Sequence, residues 1–193
     1  VPQASSDLEE LLRAVEPLPD PVPSPALVVI SGLPGTGKSF FAKKLFQLVP
    51  AVLLESDNLR KLLFPKPTYS IEESARLFKA IYELIDILLD KNCNVMLDAT
   101  NLEERHRERL YSIAEHRGAK LVLVRTEAPA AVVQNRLKNR VLNPDEKSDA
   151  DWEVYKKMKK RVEPLSRKHF VVDTSRDITP VLNKVAKEVM KGV

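Results

Sequence analysis

The chain has 193 residues, 44% hydrophobic, 30% charged and 6% aromatic, with a formal net charge of +4. That is ordinary for one folded domain, and it argues against a broad aromatic surface for stacking bases. No apolar run approaches the ~18 residues of a membrane span, no signal-peptide pattern is present, and the single cysteine, Cys93, cannot close an internal disulfide, so a cytoplasmic chain with no membrane contact is expected.

Residues 5–16, SSDLEELLRAVE, read as a short amphipathic helix, with Ser6 as its cap and Leu8, Leu11, Leu12 and Val15 on one face. Five prolines follow within residues 17–25, which reads as a stiff, extended linker. These 25 residues form an N-terminal helix and linker, and the compact domain is expected to span 26–193. The chain begins at Val1 rather than Met, as an excised or processed form would, and an upstream domain is left open.

From residue 26 strands and helices alternate. The strand candidates are ALVVI (26–30), AVLLE (51–55), NVMLDAT (94–100), AKLVLVRT (119–126) and HFVVDTS (169–175). Continuous apolar runs of this kind suit strands buried on both faces. Helices are expected over 38–49, 71–90, from about 104 to Gly118, and over 128–140. Ser70 with Glu73 and Asn101 with Glu104 supply the cap signals for the second and third of these. Pro180 suits the first turn of a last helix. The expected fold class is therefore α/β, a five-stranded parallel sheet with helices on both faces. Residues 141–168 break the rhythm with charge, Asn143-Pro144 and a polar helix over about 149–162; they read as a helical lid. Cys93, next to an apolar strand, reads as a core residue.

Three of the five glycines fall within six positions, in Gly32-Leu33-Pro34-Gly35-Thr36-Gly37-Lys38-Ser39. The stretch fits G-x-x-x-x-G-K-[ST] between a buried strand and a helix, the context of a phosphate-binding loop (P-loop). Glycine lets backbone N–H groups turn inward onto phosphate oxygens at the helix N-terminus. Lys38 adds charge at the β and γ phosphates, and the Ser39 hydroxyl is placed for Mg²⁺. Gly32, Pro34, Gly35, Thr36, Gly37, Lys38, Ser39 and Phe40 are the candidate nucleotide-binding residues of a P-loop NTPase fold, with ATP and Mg²⁺ as the expected donor and cofactor.

Asp57 and Arg60 lie three apart at the start of a helix after the second strand. A carboxylate there can take the proton of an attacking hydroxyl, and an arginine one turn on can grip an anionic group of the acceptor. Asp98 closes the third strand and suits Mg²⁺ held through water. Asn101 is read either as an acceptor contact or as a helix cap, and Arg105 either as an acceptor contact or as a solvated helix residue. Arg136 and Arg140 share a helical face before the lid, where arginine can stabilise a migrating phosphoryl group. His106, His116 and His169 lack metal-ligand spacing. Trp152 and Tyr155 read as packing residues or, alternatively, as a stacking pair of the lid. Lys156, Lys157, Lys159, Lys160 and Arg161 form the strongest basic cluster, a solvated face or, with a nucleic-acid acceptor, the first place for phosphate contacts.

Through GLPGTGKS, SDNLR, LDATNLEER and NRLKNR, in that order, the chain resembles the small P-loop kinases over roughly residues 27–190, and among them the kinase module of 5′-hydroxyl polynucleotide kinases. The resemblance implies that Lys38 and Ser39 hold phosphates and Mg²⁺ and that Asp57 is the general base. Arg60 would bind a phosphate beside the acceptor hydroxyl. Arg140, supported by Arg136, would be the lid arginine. Phe40 departs from the threonine common in such loops, and no D-x-D-x-T phosphatase motif follows. The D-x-x-R pair and the D-A-T-N stretch also occur in P-loop kinases of metabolites, including adenylyl sulfate kinases, and in zeta-toxin-like sugar-nucleotide kinases. The expected activity is transfer of the γ phosphate of ATP to a hydroxyl, first the 5′-hydroxyl of RNA or DNA, alternatively that of a metabolite or sugar nucleotide. A nucleotide-dependent switch is a further alternative, although no N-K-x-D guanine-reading motif is present.

Overall fold

The computed structural model describes residues 6–141 and 150–191. Strands β1 (Ala26–Ser31), β2 (Val52–Glu55), β3 (Val95–Asp98), β4 (Lys120–Glu127) and β5 (Phe170–Asp173) form one sheet in the order β2-β3-β1-β4-β5. All four pairings are parallel, and Ile30 and Glu55 both lie opposite Asp98. The helices are α1 (Ser6–Ala14), α2 (Lys38–Phe46), α3 (Ser56–Leu63), α4 (Ile71–Asp90), α5 (Glu104–His116), α6 (Ala130–Val141), α7 (Trp152–Lys159) and α8 (Thr179–Met190). The expected fold class is the one observed.

The apolar strand runs divide between two cores because successive side chains point to opposite faces. Leu27 and Val29 join Leu54, Val95 and Leu97 under α1, α3, α4 and α5, whereas Val28 and Ile30 join Met96, Val122 and Val124 under α2 and α8. Cys93 is buried in the first core. Helix α1 docks on α4 through Leu8 and Leu11, and Arg76 of α4 grips the Asp7 carboxylate with two bonds of 2.5 and 2.6 Å. The proline segment also runs against the domain: Leu18 packs on the first core, and the Val22 N–H donates to the Asn92 carbonyl at 2.8 Å.

The Ser70 hydroxyl caps α4 by accepting the Glu73 N–H at 3.1 Å. The reciprocal arm of that capping box does not form, because the Glu73 carboxylate is drawn to Arg60, Thr68 and Tyr69. The second cap signal is corrected outright. Glu103, not Asn101, precedes α5, and it makes no side-chain cap bond. The free N–H of Glu104 is met instead by the Glu163 carboxylate, at 2.5 Å. Gly118 closes α5 at φ +62°, a left-handed position that favours glycine. Pro180 lies in the first turn of α8. Of the expected lid, residues 142–149 fall outside the described residues; α7 covers 152–159. Among the described residues no helix is long and apolar enough to cross a membrane.

Candidate active site

The central strand β1 has β3 on one side and β4 on the other, so the chain order reverses there. Ligands of open parallel sheets bind at the carboxyl ends of strands beside such a reversal. The glycine-rich loop leaves β1 at that point and runs into α2. Its shape is held from the ends of three strands, β3, β4 and β5. The Gly32 N–H donates to the Thr100 carbonyl at 3.2 Å, and the Ser31 hydroxyl to the Thr100 and Asn101 carbonyls. The Thr36 hydroxyl, buried, bonds to the Leu33 carbonyl at 2.7 Å and to the Thr126 hydroxyl at 2.8 Å. The Thr174 hydroxyl donates to the Thr36 carbonyl at 2.7 Å. Gly37 sits at φ +85°, and a Cβ there would lie 2.8 Å from the Thr174 hydroxyl oxygen, so both conformation and space require glycine. Pro34 is buried in the loop, whereas Ser39 and Phe40 are exposed at the start of α2.

Lys38 reaches back across the loop, its Nζ donating to the Leu33 carbonyl at 3.1 Å. Asp98, 5% exposed at the end of β3, has its carboxyl pushed above the usual carboxylate range. Burial is the main cause; Lys38 and the Ser39 hydroxyl pull the other way, and the nearby Glu55 and Asp57 carboxylates add to the rise. Asp57 itself is half-buried in the first turn of α3. Lys38, Ser39, Asp57 and Asp98, read from three separate stretches of sequence, thus meet at the carboxyl ends of β1, β2 and β3. A buried carboxylate crowded by two others next to a hydroxyl is a hard-oxygen set that suits Mg²⁺. No cluster of three or more His, Cys, Asp or Glu that could cage a metal occurs among the described residues. Mg²⁺ needs no such cage, because it shares its coordination with water and substrate phosphates.

The arginines divide. Arg136 of α6 turns onto the loop, donating to the Gly35 carbonyl at 3.2 Å and to the Thr174 hydroxyl and carbonyl at 2.8 Å each. The side chain of Arg140 lies outside the described residues. Arg60 is buried and pairs with Glu73. Arg105 is exposed and pairs with Glu103 at 2.8 Å in an open cleft of about 420 Å³ that Arg161 and Glu163 complete. Asn101 is buried at φ +47°, its Nδ2 donating to the Ile30 and Ala99 carbonyls at 3.1 and 3.3 Å. It ties the ends of β1 and β3 together.

Sequence reading missed three framework groups. Thr126 and Thr174, each at a strand's carboxyl end, hold the loop through hydroxyls that no motif marks. Arg107 is 1% exposed. It bonds to the Glu104 carboxylate at 2.8 Å and to the carbonyls of Asn101, Leu102, Glu163 and Pro164 at 2.8–3.1 Å. It thereby fastens the segment after α7 to the end of β3. The only sequence signal was a charged residue on the otherwise apolar face of α5. Lid helix α7 also meets the loop: Trp152 and Tyr155 stack at 4.7 Å and pack with Val133, Leu137 and Leu33.

A glycine-rich loop, a strand-end aspartate and a helical cover on this sheet define a P-loop NTPase-like α/β domain. A family model described as AAA domain matches residues 27–165, and the chain belongs to that family. Three solved structures share its fold. Mycobacterium tuberculosis APS kinase CysC, in complex with AMPPNP and APS, is 19% identical with a TM-score of 0.64, over 86% of this chain and 98% of that one. Chaetomium thermophilum Kti12, in complex with ADP-AlF3, is 17% identical at 0.69, over 87% and 99%. A Sinorhizobium meliloti gluconokinase is 17% identical at 0.61, over 86% and 91%. At these identities the likeness is one of fold.

Proposed function

We propose that the protein is an ATP- and Mg²⁺-dependent phosphotransferase that moves the γ phosphate to a hydroxyl of a small molecule. The observation that carries this reading is the meeting of Asp57, Asp98, Ser39 and Lys38 at one end of the sheet. The acceptor oxygen attacks the γ phosphorus as the bond to the β-phosphate oxygen breaks, ADP departs, and the hydroxyl proton passes to Asp57. Ser39 and Asp98 would hold Mg²⁺, which would supply positive charge against the phosphates. Lys38 binds the same phosphates, Arg136 keeps the loop in shape, and Arg140 is assigned to the migrating phosphoryl group. The fold likeness to an APS kinase and a gluconokinase favours a small acceptor over a polynucleotide.

A second reading, a nucleic-acid 5′-hydroxyl as acceptor, draws on Lys156, Lys157, Lys159, Lys160 and Arg161, all exposed at α7 and just beyond it. Transfer of labelled γ phosphate separates the two. One panel holds sugars, polyols and nucleosides; the other holds one oligonucleotide with a 5′-hydroxyl or a 5′-phosphate. Label on a small acceptor is the expected result. Label on the 5′-hydroxyl oligonucleotide alone establishes the second reading instead.

A further inference from the structure

Arg60 stands one turn beyond Asp57, where a guanidinium could hold an acceptor phosphate, yet its charge is already answered. Its Nη1 donates to the Glu73 carboxylate, and both side chains are at most 8% exposed. The same carboxylate accepts the Thr68 N–H at 2.6 Å, the Thr68 hydroxyl at 2.8 Å and the Tyr69 N–H at 3.3 Å. Four donors from three residues around one carboxylate make a complete anion pocket, filled by the chain itself. Arg60 is held further by the Ser74 hydroxyl, at 3.2 Å from Nη2, and by the Tyr69 ring, whose centroid lies 4.8 Å from its Cζ. Tyr69 adopts φ +56° to close this turn. Burial alone would raise the carboxyl, but the Thr68, Arg60 and Tyr69 donors outweigh it and hold Glu73 at about 2. Glu73 is therefore ionised throughout the neutral range.

A phosphate entering this pocket would have to expel a carboxylate with all four donors in place, and the expelled charge would need new partners. Removing one member of a buried ion pair is costly for that reason. We propose that Glu73 is the resident anion of the acceptor-side pocket, so that the hydroxyl presented to Asp57 belongs to a molecule with no phosphate at that flank, such as a sugar or polyol. This rests on the reading of Asp57 as the acceptor-side base and narrows the acceptor class from there. It also reassigns Arg60 from an acceptor ligand to a positioning residue that fixes α3, and with it Asp57, against α4.

The test reads phosphate binding, not catalysis. Thermal unfolding is followed against inorganic phosphate at constant ionic strength, in a Lys38→Ala background so that the glycine-rich loop does not contribute. With Glu73 intact, no phosphate-dependent rise that depends on Arg60 is expected. The isosteric Glu73→Gln removes the resident charge, so phosphate has only a neutral amide to displace, and Tm should rise by about 3–6 °C at phosphate tenfold above its Kd. Adding Arg60→Met should abolish the rise. An Arg60-dependent rise with Glu73 intact overturns the proposal, as does a folded Glu73→Gln protein with no rise. If Glu73→Gln does not fold, the arm with Glu73 intact decides alone. Failure here leaves the phosphotransferase reading standing, and failure of phosphoryl transfer leaves this result standing.

Discussion

Thr174 is a site where loop shape and nucleotide affinity should separate cleanly from chemistry. Its hydroxyl is 2.7 Å from the Thr36 carbonyl, to which it donates, and accepts from Arg136 at 2.8 Å. Thr174→Val keeps the side-chain shape and removes both bonds. The Thr36 carbonyl loses this donor, and Arg136 keeps only the Gly35 and Thr174 carbonyls. Each buried polar group left unpaired costs about 1–3 kcal/mol, so a loss of about 1–3 kcal/mol of stability is expected, after partial relaxation. If the hydroxyl holds the loop ready for phosphate, part of that cost reappears in binding. Each 1.4 kcal/mol is tenfold in Kd, so ATP should bind on the order of tenfold more weakly. Urea unfolding gives the first quantity and calorimetric titration of ATP the second. Thr174→Ser, which restores the hydroxyl, should recover most of both. A Thr174→Val protein that loses stability but binds ATP as the wild type does would refute the link between this bond and the loop.

Other sites test the framework. Leu11 is fully buried where α1 docks, so Leu11→Ala should cost about 2–5 kcal/mol in urea unfolding; a change within 0.5 kcal/mol would mean that α1 adds nothing to the fold. Arg107→Met leaves four carbonyls and the Glu104 carboxylate without their shared donor, and should cost about 3 kcal/mol or more by the same measurement. Glu73 sets an acid dependence. Its carboxyl falls from an ordinary 4.5 to about 2 on folding, so its contribution is complete above 4.5 and is lost as pH falls through about 2. The stability gap between wild type and Glu73→Gln should be flat above pH 5 and close between pH 4.5 and 2; a gap that is constant down to pH 2 would contradict that assignment.

Sequence patterns carried the central strands β1 and β3 because a strand buried on both faces must be apolar at nearly every position, and few other segments are. The loop was legible because its chemistry needs glycine, lysine and a hydroxyl at fixed spacing. The places of Asp98 at the end of β3 and of Asp57 just beyond β2 were legible from the strand pattern. Side-chain partners were not, because they depend on residues distant in the chain. Asn101 looks like a cap locally, yet its amide is taken by the end of β1. Arg60 looks like an open anion site, yet Glu73, thirteen residues on, reaches it first. Arg107, Thr126 and Thr174 carry no motif, since any residue with a donor of the right reach could serve. The N-terminal helix was visible from its periodicity, but its docking site on α4 was not, because an apolar face does not name what covers it.

Phosphorus NMR, which follows the fate of the γ phosphate, tests phosphoryl transfer to a hydroxyl most directly. Wild-type protein and Asp57→Ala are incubated with ATP, Mg²⁺ and each small hydroxyl acceptor in turn. With the right acceptor, wild type should give a new phosphomonoester resonance that grows one-for-one with ADP. Asp57→Ala should bind ATP normally and form that product far more slowly. Inorganic phosphate as the only product, with every acceptor and equally in both proteins, would mark a nucleotide-dependent switch and contradict the phosphotransferase reading.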